Sequence, residues 1–193
     1  ANGSWIKSTP ACTDSLFVVM GMRDVLVALN PKTGEELWRI DFPATLGNKI
    51  PAFGSVCSPI IDNGFVYVQT GGATVKVDAD DGGIVWQTLA GGDDMMSGGA
   101  FSSPVIATLA GVRQLVVQTR QELTGVDLDT GDVMWRQPIE AFRGMNILTP
   151  TIIGDSVFTA AHSGRSHLFD IGKSDAGWMI DERWTQKTQA YMS

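Results

Sequence analysis

The stretch Gly125-Val-Asp-Leu-Asp-Thr-Gly-Asp-Val-Met-Trp135 decides the fold, because the same pattern recurs along the chain. In each copy an apolar residue precedes Asn or Asp, Gly follows four residues later, and Trp follows four residues after the Gly. Earlier copies lie at Ala28–Trp38 and Lys76–Trp86, so the tryptophans are 48 and 49 residues apart. Another 49 residues lead to Trp184, at the end of a fourth copy that begins at Phe169 and carries extra residues around 173–177. A period of this length indicates a repeat architecture.

A Ser-Pro or Thr-Pro pair marks the start of every copy and alternates with the tryptophans. The pairs are Thr9-Pro10, Ser58-Pro59, Ser103-Pro104 and Thr149-Pro150, with prolines 49, 45 and 46 residues apart. Two interleaved markers that each recur four times are very unlikely by chance, so we interpret the chain as four repeats.

Each repeat contains four short stretches typical of β-strands. In the second repeat they are rich in β-branched and aromatic residues, and Asn63-Gly64 between the first two favours a hairpin turn. No stretch keeps the 3.6-residue period of a helix, so we expect almost no helix. The sequence therefore predicts an all-β fold, a β-propeller with four blades of four antiparallel strands each. The approximate blades, within a single array over 1–193, are 9–39, 58–88, 103–137 and 149–186.

The repeated residues have structural explanations. The glycines favour a tight turn with positive φ, and Asn30, Asp78, Asp127 and Asp170 can each end a third strand by accepting backbone N–H bonds from the following turn. The tryptophan ring on the outer strand can pack against the neighbouring blade and use its N–H as a donor. We therefore assign a structural docking role to Gly34, Gly82, Gly131, Trp38, Trp86, Trp135 and Trp184.

This repeat resembles the tryptophan-docking motif of the quinoprotein-like (PQQ-type) propellers, and the resemblance covers essentially the whole chain. The family includes PQQ- and calcium-dependent alcohol and sugar dehydrogenases and a lipoprotein of outer-membrane assembly. Its members have eight blades, sometimes seven, whereas this chain has four. The chain ends where a fifth Ser-Pro pair is due, so we expect part of a longer array. The other arrangements are a homodimer that completes a ring and a self-closed ring of four blades.

Composition excludes several classes of function. Fourteen Lys and Arg against 21 Asp and Glu give a net charge of −7, and no basic run is present to neutralise phosphates, so nucleic acid is not an expected partner. The apolar runs are too short to span a bilayer. No signal peptide is visible, but the resemblance implies a periplasmic or extracellular location.

Two residue pairs carry side chains that could take part in chemistry. Cys12 and Cys57 lie near the first strands of neighbouring blades, but they are offset along those strands, so we expect two buried free thiols rather than a disulfide. The resemblance associates catalysis with adjacent cysteines, which are absent. His162 and His167 flank one turn, but no Cys or carboxylate at a fixed spacing completes a metal site, and no metal or catalytic residue is assigned.

The segments between each Trp and the next Ser/Thr-Pro vary while the blades repeat. Variable loops on a rigid scaffold commonly carry function, so we expect the binding face there. The segments are 46–56, 91–101, 142–148 and 187–193. The candidate binding residues are Asn48, Lys49, Asp93, Asp94, Met95, Arg143, Asn146 and Tyr191.

The favoured hypothesis is a non-catalytic PQQ-like propeller that acts outside the cytoplasm as a protein- or peptide-binding scaffold and needs no cofactor. The alternative, which the resemblance implies, is a fragment of a PQQ- and calcium-dependent alcohol or sugar dehydrogenase. A sensor domain of a larger signalling protein is a third hypothesis.

Overall fold

The computed structural model describes residues 6–91 and 99–187. The chain divides into two compact units, 1–100 and 101–193, and each unit holds two four-stranded antiparallel sheets. In every sheet the strand order follows the chain order, so each sheet is a simple meander. The predicted all-β architecture of four four-stranded blades is confirmed.

The first unit contains blades 1 and 2, joined by a segment with a short helix. Blade 1 consists of β1 (Ala11–Cys12), β2 (Phe17–Gly21), β3 (Val25–Leu29) and β4 (Glu36–Asp41). Helix α1 (Phe42–Leu46) follows. Blade 2 consists of β5 (Ile60–Asp62), β6 (Phe65–Gln69), β7 (Thr74–Asp78) and β8 (Ile84–Thr88).

The second unit contains blades 3 and 4, joined by a segment with a single 3-10 turn at Phe142–Gly144. Blade 3 consists of β9 (Val105–Leu109), β10 (Val112–Gln118), β11 (Glu122–Asp127) and β12 (Val133–Pro138). Blade 4 consists of β13 (Thr151–Ile153), β14 (Ser156–Ala160), β15 (Ser166–Ser174) and β16 (Gly177–Gln186). No helix in the described parts of the chain is long and apolar enough to cross a membrane.

The strand pattern of the sequence did not predict helix α1. Asp41 caps its start by accepting a hydrogen bond from the Ala44 N–H, and Pro43 stands in the first turn, where a missing N–H costs nothing. Gly47 ends it with φ 74°. Phe42 is fully buried, which stabilises the helix by about 1.5–3 kcal/mol.

The turns between third and fourth strands explain the repeated Asn or Asp. The side-chain oxygen of Asn30 accepts from the N–H groups of Lys32 and Thr33, and Asp78 and Asp127 accept from the turns that follow them in the same way. These short side chains replace backbone partners that the turn lacks.

Asp170 does not follow this pattern, and its predicted position at the end of a third strand is wrong. Strand β15 continues past it to Ser174, and β16 starts only at Gly177, so the extra residues of the fourth repeat lengthen a hairpin. The carboxylate of Asp170 instead accepts from the Ser156 hydroxyl and the Arg183 guanidinium.

Each unit is held by an apolar core that includes an outer-strand tryptophan. In the first unit Trp38 is 8% exposed and packs with Val18, Ala28 and residues of blade 2. In the second unit Trp135 is 4% exposed and shares a core with Ile171 and Trp178 of blade 4.

Candidate binding cleft and its buried carboxylate

Each blade brings two kinds of loop to one end of its sheet. Because neighbouring strands run antiparallel, the turn between the second and third strands lies at the end where the chain leaves the fourth strand. We call this the loop end of a blade and the opposite one the turn end. The segments predicted to bind a partner all leave fourth strands, so they start at loop ends.

A cleft of about 500 Å³ lies at the loop end of the first unit. One wall is formed by residues 46–49, from the last residue of α1 onward, and includes the candidate binding residues Asn48 and Lys49. The other wall is formed by residues 72–73 and 87–91 of blade 2. Lys49 is exposed and Asn48 is half-buried. The structure thus brings two of the candidate residues to one concave surface.

Asp24, which the sequence analysis did not single out, fixes the wall that carries Asn48. Its side chain is fully buried in the turn between β2 and β3. Its carboxylate accepts from the Ser55 hydroxyl at 2.5 Å, from the Gly71 N–H at 2.8 Å and from the Asn48 amide at 3.0 Å. One carboxylate therefore joins blade 1, the segment after α1 and blade 2.

The electrostatics of Asp24 follow from its burial. Loss of solvation raises the pKa of the Asp24 carboxyl above its ordinary value, and the nearby Asp41 adds to this rise. The hydrogen bonds from Ser55, Gly71 and Asn48 oppose it, because they stabilise the ionised form. The backbone of Asp24 also has a positive φ of 64°, which Asp tolerates better than most residues.

The turn of blade 2 that meets this carboxylate requires glycine. A Cβ on Gly71 would lie 2.6 Å from Nδ2 of Asn48 and 2.8 Å from Oδ2 of Asp24. A Cβ on Gly72 would lie 2.8 Å from Oδ1 of Asn48. All three distances are shorter than van der Waals contact, so glycine at both positions lets the two walls approach this closely.

Two candidate residues of the second unit, Arg143 and Asn146, lie in the segment after β12 and have structural contacts. Asn146 is 1% exposed, and its amide donates to the carbonyl of Thr119 at 3.2 Å. The Arg143 guanidinium lies 5.1 Å from the centre of the Phe142 ring, and the Arg143 carbonyl accepts from Arg120. Burial makes Asn146 unsuitable for direct contact with a partner, whereas the exposed Arg143 and Phe142 remain accessible.

Four other candidates, Asp93, Asp94, Met95 and Tyr191, lie outside the described residues.

Both cysteines are free, but the expectation that both are buried is wrong for one of them. Cys57 is 1% exposed, and its thiol donates to the carbonyl of Ala100 at 3.2 Å. Burial raises the pKa of Cys57, so the thiol stays protonated at neutral pH. Cys12 is exposed, because it closes the two-residue strand β1 at the margin of its sheet.

The two histidines have different neighbours. His167 lies 2.6 Å from Glu182 across the β15–β16 pair and stacks on Phe169, whereas His162 packs near Phe142. Within residues 6–91 and 99–187, no three His, Cys, Asp or Glu side chains converge as metal ligands do.

Sequence reasoning missed Asp24, Ser55 and Gly71 because none of them repeats. In blades 2 and 3 the corresponding turns begin with Thr70 and Thr119, whose hydroxyls accept from N–H groups of their own turn. The available signal was Asp24 itself, an acidic residue in the turn between the second and third strands, where blades 2 and 3 form the turn with local hydrogen bonds.

Four-stranded antiparallel blades that repeat with a tryptophan in the last strand define a PQQ-type β-propeller protein. The comparisons with known proteins agree with this class. A family model described as outer membrane protein assembly factor BamB matches residues 3–193, and the chain belongs to that family. A search of curated proteins found no match.

Solved structures with the same architecture match nearly the whole chain. BamB from Moraxella catarrhalis has a TM-score of 0.62 and 20% identity, with 96% of this chain and 66% of that chain covered. The quinohemoprotein alcohol dehydrogenase from Comamonas testosteroni has a TM-score of 0.64 and 15% identity, with 97% and 35% covered. The computationally designed Ika4 protein has a TM-score of 0.59 and 12% identity, with 89% and 94% covered.

These likenesses show the fold, and together with the family model they confirm the predicted PQQ-type propeller. The chain covers just under two thirds of the BamB structure, at 66%, and about a third of the dehydrogenase, at 35%. The activity and partners of those longer proteins can therefore only be proposed for this chain.

Proposed function

We propose that this chain is a non-catalytic PQQ-like propeller that acts outside the cytoplasm as a protein-binding scaffold. Its binding site is the cleft at the loop end of the first unit, and its ligand is an extended protein segment. The observation that carries the proposal is the construction of that cleft, whose two walls are tied together by the buried Asp24 carboxylate. A preorganised concave surface binds at a lower entropic cost than a surface that must first order.

The lining of the cleft suits a polypeptide. Lys49 presents an exposed ammonium group that can pair with an acidic side chain of the ligand. Strand β8, whose end forms part of the wall, is the last strand of its sheet, so one side of its backbone has no partner strand in that sheet. An extended segment can hydrogen-bond to such an edge, which supplies affinity independent of sequence.

The family description supports the same class of ligand. A factor in outer membrane protein assembly would meet strands of membrane barrels, which alternate apolar and polar residues. An extracytoplasmic location follows from this proposal. The net charge of −7 favours a protein ligand over nucleic acid.

The proposal is tested by fluorescence anisotropy with labelled peptides of alternating apolar and polar residues that carry one Glu. We expect saturable binding that Lys49→Glu weakens about tenfold, because a charge pair becomes a repulsion. Lys32→Glu is the matched control, since Lys32 is also exposed but lies at the turn end of blade 1. Equal effects of the two substitutions would contradict binding in the cleft.

A steric test is independent of charge. Ala90 is exposed and lines the cleft, so Ala90→Trp should fill the cleft and abolish peptide binding. Ala176→Trp places the same ring on the exposed tip of the β15–β16 hairpin and should leave binding within twofold. Binding that survives Ala90→Trp would locate the peptide elsewhere.

The alternative, a fragment of a PQQ- and calcium-dependent dehydrogenase, is favoured by the likeness to the quinohemoprotein alcohol dehydrogenase. The described residues do not fit that cofactor. Their tryptophans all lie on the fourth strands of blades, and Asp24, a fully buried carboxylate, already accepts three hydrogen bonds. Titration with PQQ and calcium, followed by quenching of tryptophan fluorescence, distinguishes the alternatives, since saturable quenching would support the dehydrogenase.

A further inference from the structure

The fourth strand of each blade is the last strand of its sheet, so its outer side has no partner strand in that sheet. Edges of this kind commonly carry charged residues or proline, which discourage pairing with another chain. Three of the four strands follow this rule. Strand β4 contains Glu36, Arg39 and Asp41, β12 contains Arg136 and Pro138, and β16 contains Asp181, Glu182 and Arg183.

Strand β8 is the exception. Its residues Ile84–Thr88 read Ile-Val-Trp-Gln-Thr, with no charged residue and no proline. Ile, Val, Trp and Thr all have a high preference for strands. Val85 is 49% exposed, although it is apolar. Among the four fourth strands, the composition of β8 is therefore the one that favours pairing with a further strand.

The same strand leads into the candidate cleft. Strand β8 ends at Thr88, and both Gln87 and Thr88 belong to the cleft lining. The chain then turns at Leu89, whose φ of 50° is unusual for a leucine. The Gly91 N–H donates to the Gly72 carbonyl at 2.8 Å, which holds the turned segment against the loop between β6 and β7. A strand paired with β8 would thus have one of its ends at the cleft.

The charge in the cleft distinguishes the two directions of such a strand. Lys49 is the one charged residue among the described residues that line the cleft, and it is exposed. Antiparallel pairing is slightly more stable per residue than parallel pairing, and all strand pairs in blade 2 are antiparallel. Since β8 runs towards the cleft, a strand antiparallel to it would begin there. The N-terminal end of that strand would then lie in the cleft that Lys49 lines.

Building on the proposed function of the cleft, we propose that β8 pairs with an antiparallel strand of the protein ligand, which carries an acidic residue just before that strand. Backbone hydrogen bonds to β8 supply affinity, and the pair between the acidic residue and Lys49 sets the direction of the strand. An apolar ligand residue opposite Val85 adds a cross-strand contact, so the ligand strand alternates apolar and polar residues.

Two labelled peptides of identical composition with blocked ends test the direction, by fluorescence anisotropy with the wild-type chain. In one peptide Glu precedes five alternating Val and Thr residues, which match the length of β8. In the other peptide the order is reversed. We expect the first to bind about fivefold more tightly, the effect of an exposed ion pair. Lys49→Gln should abolish this difference, because it removes the charge and keeps a polar side chain.

Methylation of the peptide backbone tests the pairing without any change to the protein. Along an extended strand, alternate N–H groups face opposite sides, so only one set can bond to β8. N-methylation of that set should weaken binding about tenfold, whereas N-methylation of the other set should change it by less than about twofold. Equal effects of the two methylation patterns would overturn the pairing.

Val85 and Leu37 provide a matched pair in the protein. They precede Trp86 and Trp38 in β8 and β4, and they are 49% and 50% exposed. Val85→Lys gives β8 a charge of the kind that protects the other edges, so it should weaken binding of the first peptide about fivefold. Leu37→Lys adds the same charge to blade 1 and should leave binding within about twofold. Circular dichroism of both variants checks that they are folded.

The outcomes separate the strand pairing from the function of the cleft. Binding that Lys49→Glu and Ala90→Trp weaken, but that depends neither on the position of Glu nor on the methylation pattern, would keep the cleft as the site and overturn the pairing with β8. Equal effects of Val85→Lys and Leu37→Lys would overturn it as well. If neither peptide bound saturably, both the proposed function and the pairing would be refuted.

Discussion

Replacing Asp24 by Ala removes the acceptor of three donors at once. The Ser55 hydroxyl and the Gly71 N–H would be left buried without a partner, while the Asn48 amide keeps its bond to the Lys49 carbonyl. Each buried unsatisfied donor costs about 1–3 kcal/mol, so we expect Asp24→Ala to lower the free energy of unfolding by about 3–5 kcal/mol. With a denaturant slope of about 2 kcal/mol per molar, the urea midpoint falls by about 1.5–2.5 M.

Urea unfolding followed by circular dichroism measures this midpoint. Asp80→Ala serves as the control, since Asp80 is exposed and its loss should change the free energy of unfolding by less than about 0.5 kcal/mol. Equal shifts for the two variants would refute the assignment of Asp24 as the residue that joins the cleft walls.

The pH dependence of the same network has a definite sign. Because burial raises the pKa of Asp24, its contribution to stability is complete below the ordinary pKa of an unfolded Asp, near 4, and is lost as the pH rises through the folded pKa. Asp24→Asn cannot titrate, yet its carbonyl can accept from Asn48 and Gly71 while its amide donates to Ser55. The stability of the wild type relative to Asp24→Asn should therefore decrease from pH 4 upwards. A difference that increases with pH would contradict this sign.

Three further predictions concern single contacts. Gly71→Ala puts a Cβ 2.6 Å from a side-chain amide and should lower the free energy of unfolding by about 1–3 kcal/mol in the same urea assay, whereas an unchanged midpoint would mean that the wall yields. Trp38→Phe loses the bond to the Ala79 carbonyl and should cost about 1 kcal/mol or more, seen as a lower thermal midpoint; no shift would mean that the bond contributes nothing. Ellman's reagent should label Cys12 in the native protein and Cys57 only in denaturant, and two fast native thiols would contradict the burial of Cys57.

The blades could be predicted from the sequence because each repeat encodes the same local structure. Asn63-Gly64 forms the expected turn with φ of 46° and 79°, and the expected strand that follows it forms as β6, which buries Val66 and Val68. Repetition reinforces such signals, because an accidental pattern does not recur at the same interval four times.

The cleft could be predicted only in part, for a physical reason. The varying segments marked the place of Asn48 and Lys49, but the residue that organises them is Asp24, which lies 24 positions before Asn48 and in another loop. A hydrogen bond between distant positions leaves no local pattern. Helix α1 was missed for a different reason, since five residues held by the Asp41 cap and Gly47 are too few to show a helical period.

The two buried tryptophans show how a repeated residue can keep its position and change its partner. Trp38 donates to the carbonyl of Ala79 in the turn of blade 2. Blade 4 has no such turn after Asp170, because the strand continues, and Trp135 instead donates to Oε1 of Gln114 in its own blade at 2.6 Å. This hydrogen bond within blade 3 holds the indole of Trp135 against Gly125. A Cβ on Gly125 would lie 2.0 Å from Nε1 of Trp135, so Gly125→Ala should disrupt blade 3. The extra residues at 173–177 indicated that the fourth repeat departs from the others. The new partner of Trp135 could not be predicted from them, because it depends on Gln114 in β10 and Gly125 in β11, which are not part of the repeated pattern.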